Sequence, residues 1–265
     1  MLSVFFLSPF FIMLAASFYR RIEGGFYEPA FVLDSWRRVF SDVFLERAGF
    51  SIWISLLAGA VCIAVAFPFT YFLTRMRRRP HVSLLVLVLS ALSLSEVIVG
   101  FAWSVLLGRA AGISNILVWL GVMGEPVAYQ PGFVAVLLGL CYIAFPYCVL
   151  TLYPQLSRLD REVTEAAQTL GASPWRTFRT VVVPIMRPTI VAGFLLVFVF
   201  TLGSYLIAAI LGRPEHWTLS VFISDQASFN ANVPFASAMA LLLTVASLAV
   251  VGLVTVVESR TRRAA

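Results

Sequence analysis

Lysine is absent from this 265-residue chain, and all nineteen of its basic residues are Arg. A P-loop needs a Lys to reach the nucleotide phosphates, so the chain holds no Walker A motif, and any ATP-driven work must be powered by another polypeptide. Charge of either sign is scarce: 12% of residues are charged and 60% are hydrophobic, against roughly 25% charged in a soluble domain. A water-soluble fold is excluded. Only two His occur, His81 and His216, both in expected loops. No membrane-depth Ser/His pair or HExxH pattern is therefore available, which counts against a membrane protease. Of the three Cys (Cys62, Cys141 and Cys148), the last two stand seven residues apart. That is about 10 Å along a helix, too far for a disulfide. No metal site and no cofactor is expected.

What the sequence does have is long uncharged apolar runs. A helix needs about 20 such residues to cross a hydrocarbon core of roughly 30 Å. Six stretches qualify, at about 2–19, 50–73, 82–107, 132–153, 188–211 and 235–257, so the expected fold is an all-α integral membrane protein of six transmembrane helices in a single domain, residues 1–265. Leu14-Ala15-Ala16-Ser17 vaguely resembles a signal-peptide cleavage site, but no basic n-region precedes it. A first transmembrane helix is the better reading. Trp36, Phe40 and Phe44 suggest a short interfacial helix in the polar loop after it. Gly112 to Met123 is apolar but too short to cross, which suggests a surface or re-entrant helix. Pro146 lies inside the fourth span, where neighbouring helices tolerate a kink.

The net charge of +6 comes from Arg clusters that flank the apolar runs. This is topogenic charge and implies no nucleic-acid partner. The turn at Arg75-Met76-Arg77-Arg78-Arg79-Pro80, the segment 154–187 and the tail after Val257 hold twelve Arg and four acids, whereas the remaining loops hold seven Arg and eight acids. The positive-inside rule puts the first set, and both termini, in the cytoplasm. Arg20 and Arg21 oppose this, because they directly follow the first span on the expected external side. A truncated N-terminal tail would remove the conflict.

Segment 154–187 is a long cytoplasmic loop in a chain whose other cytoplasmic loop is very short. Asp160 is placed to cap a helix with Glu162 in its first turn. Gly171 stands where a helix end wants a left-handed residue, and Ser173-Pro174 is a good N-cap and first position for the next helix. Val163, Ala166, Ala167 and Leu170 recur at helical spacing as a narrow stripe of mostly small residues. Periodicity alone leaves two readings open: a helix packed on the bundle's own end, or a surface that another protein approaches closely.

Glu165-Ala166-Ala167, Gly171 and Val181-Val182-Val183-Pro184 resemble the EAA loop of binding-protein-dependent ABC importer permeases. That pattern runs E-A-A, three residues, G, nine residues, I-x-L-P, and the departures here are Val181 for Ile and Val183 for Leu. The resemblance implies a type I importer permease in the bacterial inner membrane that performs no bond chemistry itself. It implies partners as well: two copies of a cytoplasmic ATP-binding subunit, a second permease chain (related or identical) and an extracytoplasmic solute-binding protein. It further implies that Glu165, Ala166, Ala167, Leu170, Gly171 and Pro184 couple this chain to the ATPase.

A second, weaker resemblance covers Trp103 to Gly108, Gly112 to Asn115, Leu117, Leu120-Gly121 and Gly203 to Gly212. It is to the spermidine/putrescine branch, whose relatives also carry opines, ferric iron and other small solutes. Glu96 is the one ionisable residue expected deep in a span, where a carboxylate costs roughly 2.5–3.5 kcal/mol to insert. It reads either as a cation-attracting group on the translocation path or as a carboxylate bonded to Ser93, Ser95 or a neighbouring helix. Trp103 and Tyr205 are candidates for the path, although aromatic residues near span ends are ordinarily interface anchors. Asp225 is a candidate contact for the substrate or the binding protein, although a lone Asp in a loop is ordinarily only solvated. The rival reading is an ion-coupled secondary carrier, which usually shows several intramembrane charges and inverted repeats. One Glu and no visible repeat count against it.

Overall fold

The computed structural model describes residues 2–22, 27–110 and 112–264. Among them every regular element is a helix, joined by loops, apart from one bridging pair, Arg20 with Glu28. A peripheral helix α1 (Leu2–Ala16) is followed by the short α2 (Asp34–Val39) and the long α3 (Asp42–Arg75). Trp36 of α2 donates from Nε1 to Ser17 Oγ at 3.3 Å, tying α2 to the residue that follows α1. After Met76 and Arg77 the chain enters α4 (Arg78–Ser90), continues in a 3-10 turn (Ala91–Ser93) and re-forms as α5 (Glu96–Leu107). Next come α6 (Ile113–Trp119), which is the short helix expected between Gly112 and Met123, and α7 (Phe133–Ser157). Helix α8 (Arg161–Thr169) precedes α9 (Pro174–Thr177), which passes through a π-turn (Phe178–Val182) into α10 (Val183–Gly203). The chain closes with α11 (Leu206–Leu211), α12 (Leu219–Ser228) and α13 (Val233–Ala264).

Four helical bodies are long and apolar enough to cross a membrane: Phe44–Arg75, Phe133–Ser157, Pro174–Gly203 and Val233–Ser259. The stretch expected as an unbroken third span is instead two helices, Arg78–Ser93 and Glu96–Leu107, bent by 104°. Counting that pair as one span gives five among the described residues. Hydropathy does not register the elbow because Leu92, Leu94 and Val97 keep the run apolar across it. The break is made by polar chemistry: Ser95 adopts an extended N-cap conformation and accepts from Val97 N–H at 3.3 Å, so a new helix starts at Glu96. His81 also differs from its expected loop setting. It lies in the first turn of α4, with Nε2 3.0 Å from Tyr153 Oη on α7.

The centre of the molecule is α3, α7 and α10 packed against one another. Cys62, Ala66, Phe67, Ala144, Cys148, Leu152 and Val197 fill the space between them. All three Cys are free, and the Cys62 thiol lies 3.4 Å from Cys141 O, across α3 and α7. Helices α5 and α11 extend this core on one side, with α11 pressed against α7 at Gly139. A β-carbon there would lie 2.7 Å from Ile207 Cγ2 and Leu211 Cδ1, so only glycine permits the approach. Large apolar side chains, among them Trp53, Val65, Val245 and Leu248, face outward. This is the inverse of a soluble protein and fits a lipid surround.

Candidate functional site

The segment between α7 and α10 folds as a helix, a glycine turn and a second helix. Asp160 Oδ1 accepts from Glu162 N–H at 3.1 Å and opens α8. At its end, Gly171 N–H donates to Gln168 O at 2.9 Å and Ala172 N–H to Ala167 O at 3.1 Å, the paired bonds of a Schellman cap. Gly171 has φ +87°, a left-handed conformation that side chains disfavour. Ser173 Oγ accepts from Arg176 N–H at 3.3 Å, and Pro174 takes the first position of α9. From there the helix runs without interruption into the membrane-length body that ends at Gly203. Its π-turn lies directly before Pro184. Val183 N–H reaches back five residues to Phe178 O, and Pro184 has no N–H to offer Thr180 O.

Thr164 is the one buried residue of α8, 2% exposed. Its hydroxyl donates to Arg161 O at 2.8 Å and accepts from Arg75 Nη1 at 3.3 Å. Arg75 ends α3 and lies with Cζ 4.5 Å from the ring centroid of Tyr71, one turn earlier. The Tyr71 ring is 5.1 Å from that of Phe178, which also packs on Phe67 at 5.4 Å and stacks on Trp175 at 5.5 Å. From sequence Arg75 reads only as topogenic charge. Its specific partners become visible once α3 and α8 are adjacent, and the one prior signal was its place four residues after an aromatic residue.

The apolar stripe of α8 is not spent on the bundle. Val163 is 42% exposed, Leu170 89% and, on the neighbouring helix, Trp175 67%. Glu165 and Ala166 are exposed beside them, and Glu165 forms no ion pair among the described residues. Pro184 is exposed as well. An apolar ridge flanked by small residues, with an unpaired carboxylate at its edge, has the chemistry of a protein-docking surface.

The candidate path residues do not converge on one point. Glu96 stands at the elbow in the first turn of α5, where the helix N-terminus favours a negative charge. It borders a cleft of about 50 Å³ with Tyr147 of α7 and Phe200 of α10, whose rings are 4.9 Å apart. Trp103 packs edge-on against Tyr142 at 5.8 Å and lines a larger apolar cavity of about 570 Å³ between α3, α4 and α7. Tyr205 lies in the break between α10 and α11, half-buried against the same core cluster that Trp103 packs on. Asp225 is not a lone loop residue. It lies in α12, where Oδ2 accepts from Asn230 Nδ2 at 2.9 Å. Among the described residues no group of His, Cys, Asp and Glu is placed to hold a metal ion.

An all-helical membrane bundle that leaves such a helix–turn–helix uncovered has the architecture of a transport subunit driven by a partner. The chain belongs to the family described as the binding-protein-dependent transport system inner membrane component, which it matches over residues 1–263. It is 29% identical over 262 residues to the spermidine/putrescine transport system permease protein PotB of Escherichia coli (strain K12), covering 99% of this chain and 94% of that one. To the protein of the same name from Haemophilus influenzae it is 28% identical over 241 residues, 91% of this chain and 84% of that one. Its fold matches a chain in the crystal structure of a bacterial ABC transporter that imports the acidic polysaccharide alginate, with a TM-score of 0.77 at 18% identity, covering 97% and 91% of the two chains. The chain is thus a multi-pass, non-catalytic permease subunit of an ABC importer, and ATP hydrolysis resides on a partner. The secondary-carrier reading is set aside.

Proposed function

We propose that this chain forms half of the translocation path of a polyamine importer and is worked by a pair of ATPase subunits through residues 154–187. The observation that carries the coupling role is the bare stripe of α8, with Leu170 89% exposed beside the unpaired Glu165. Glu165 offers a charge to an Arg of the ATPase, Ala166 and Ala167 let its surface approach, and Gly171 and Pro184 set the bend and the entry into α10. A second permease chain completes the path, and a solute-binding protein delivers from the opposite side. The membrane is crossed six times, by α1, by the bent pair α4–α5 and by the four long helices. The Arg-rich turn at 75–79 and the coupling segment lie in the cytoplasm with both termini, in keeping with their charge excess.

The solute class is supported by the names of the PotB relatives and by the chemistry at the elbow. A carboxylate beside two aromatic faces suits an ammonium group, with a cation over a ring contributing about 0.5–2 kcal/mol. The cleft of about 50 Å³ admits one such head group and not a whole solute. It is one station on the path, and Trp103, Tyr205 and Asp225, which lie outside the cleft, are candidates for others. The alginate importer shares the fold alone, and its acidic cargo has no bearing on this chain's solute.

The test is uptake by the complete complex in proteoliposomes. Radiolabelled putrescine or spermidine is expected to enter in proportion to ATP hydrolysed. Glu96→Gln is expected to raise the half-saturating concentration by roughly ten- to a hundredfold, as removal of a charged contact of about 1.5–3 kcal/mol allows. Uptake that follows an ion gradient without ATP contradicts the importer reading. Polyamine uptake indifferent to Glu96→Gln removes that residue from the path, and failure of polyamine uptake alone replaces the solute class.

A further inference from the structure

Both arms of the coupling segment are gripped by the end of α3. Arg75 holds α8 through Thr164, at 3.3 Å, and Tyr71 holds the second helix through Phe178, at 5.1 Å between rings. The two grips are joined, because the Arg75 guanidinium lies on the Tyr71 ring at 4.5 Å. Thr164, Tyr71 and Phe178 are all buried. Arg75 has no acidic partner among the described residues, so its charge is balanced by a ring face and a hydroxyl rather than by a salt bridge. Such a grip is directional: the guanidinium plane must stay on the ring while one N–H reaches the hydroxyl. α3 in turn packs along α7 and α10, the other two central helices.

We propose that Arg75 is a positioning residue that latches the coupling helix to α3, so that α8 and α3 move as one body when the ATPase subunits open and close. The latch rests on the reading of α8 as the docking helix. It adds that motion enters the bundle through the Arg75–Thr164 and Tyr71–Phe178 contacts as well as along the continuous helix into α10. The covalent routes serve α7, through residues 158–160, and α10, but not α3. Without the latch, no side-chain hydrogen bond ties α3 to α8 among the described residues.

The experiment uses the full complex, with Cys62, Cys141 and Cys148 replaced and spin labels at Phe72→Cys on α3 and Gln168→Cys on α8, both exposed positions. In the otherwise unaltered chain the distance between labels is expected to stay the same without nucleotide and with ATP plus vanadate. In Arg75→Gln, and in Thr164→Val, which removes the acceptor at nearly constant volume, the distance is expected to change with nucleotide, while the ATPase subunit still co-purifies. Arg75→Lys keeps the charge but has no planar guanidinium to lie on Tyr71 while donating to Thr164, so its distance is expected to change with nucleotide as in Arg75→Gln. A distance that stays constant in both Arg75→Gln and Thr164→Val overturns the latch. So does loss of ATPase association in both, which would make Arg75 a shaper of the docking surface. Leu170→Glu separates the two readings: if the ATPase stays bound to that variant, the docking role of α8 fails whatever Arg75 does.

Discussion

Gly139 and Gly171 show two different demands made on single residues. At Gly171 the demand is on the backbone: φ +87° costs an ordinary residue about 1–2 kcal/mol, but a β-carbon would meet nothing within 4 Å. At Gly139 the backbone is helical and the demand is space, with Ile207 and Leu211 pressed into it. Gly139→Leu is therefore expected to destabilise the detergent-solubilised protein by about 1–3 kcal/mol through overpacking, lowering its unfolding temperature. Gly252→Leu, at an exposed helical position with nothing nearby, is expected to leave that temperature unchanged or raise it. Equal effects at the two sites would mean that α7 and α11 do not meet as described. Gly171 was legible in the sequence because a turn signal is local. Gly139 was not, since nothing in a run of Leu and Val says which side meets another helix.

The same division between local and long-range information appears in the helices. Asp160, Gly171 and Ser173-Pro174 punctuate residues 154–187 with groups that bond within a few residues, and the helix–turn–helix there is readable from the sequence. The exposure of its stripe is not, because periodicity reports a shared face and not what covers it. The elbow at Ser93–Ser95 escaped an apolar scan, although Ser95-Glu96 is a capping signature once a break is considered. The π-turn before Pro184 is a further case, in which a missing N–H changes helix geometry without changing hydropathy. Pro184→Ala returns an N–H to Thr180 O, so amide exchange across residues 178–184 is expected to slow as regular α-helical bonds form. Unchanged exchange would show that the π-turn has another cause. Arg75 belongs with what the sequence hid, because its partners lie on α8 and become neighbours only in the folded bundle.

For the whole molecule, hydropathy and the missing Lys reached the broadest conclusions, a membrane bundle whose energy lies on another chain, because both are summed over many residues. The importer assignment rested on the short EAA-like pattern, and membership in the family extends it to residues 1–263. How the bundle is worked depends on whether the exposed face of residues 154–187 is where the ATPase docks. The direct measurement is co-purification of the ATPase subunit with Glu165→Arg and Gly171→Pro, each checked for normal membrane insertion. Loss or marked weakening of association, with insertion unchanged, is the predicted result. Association at the unaltered level in both variants would contradict it.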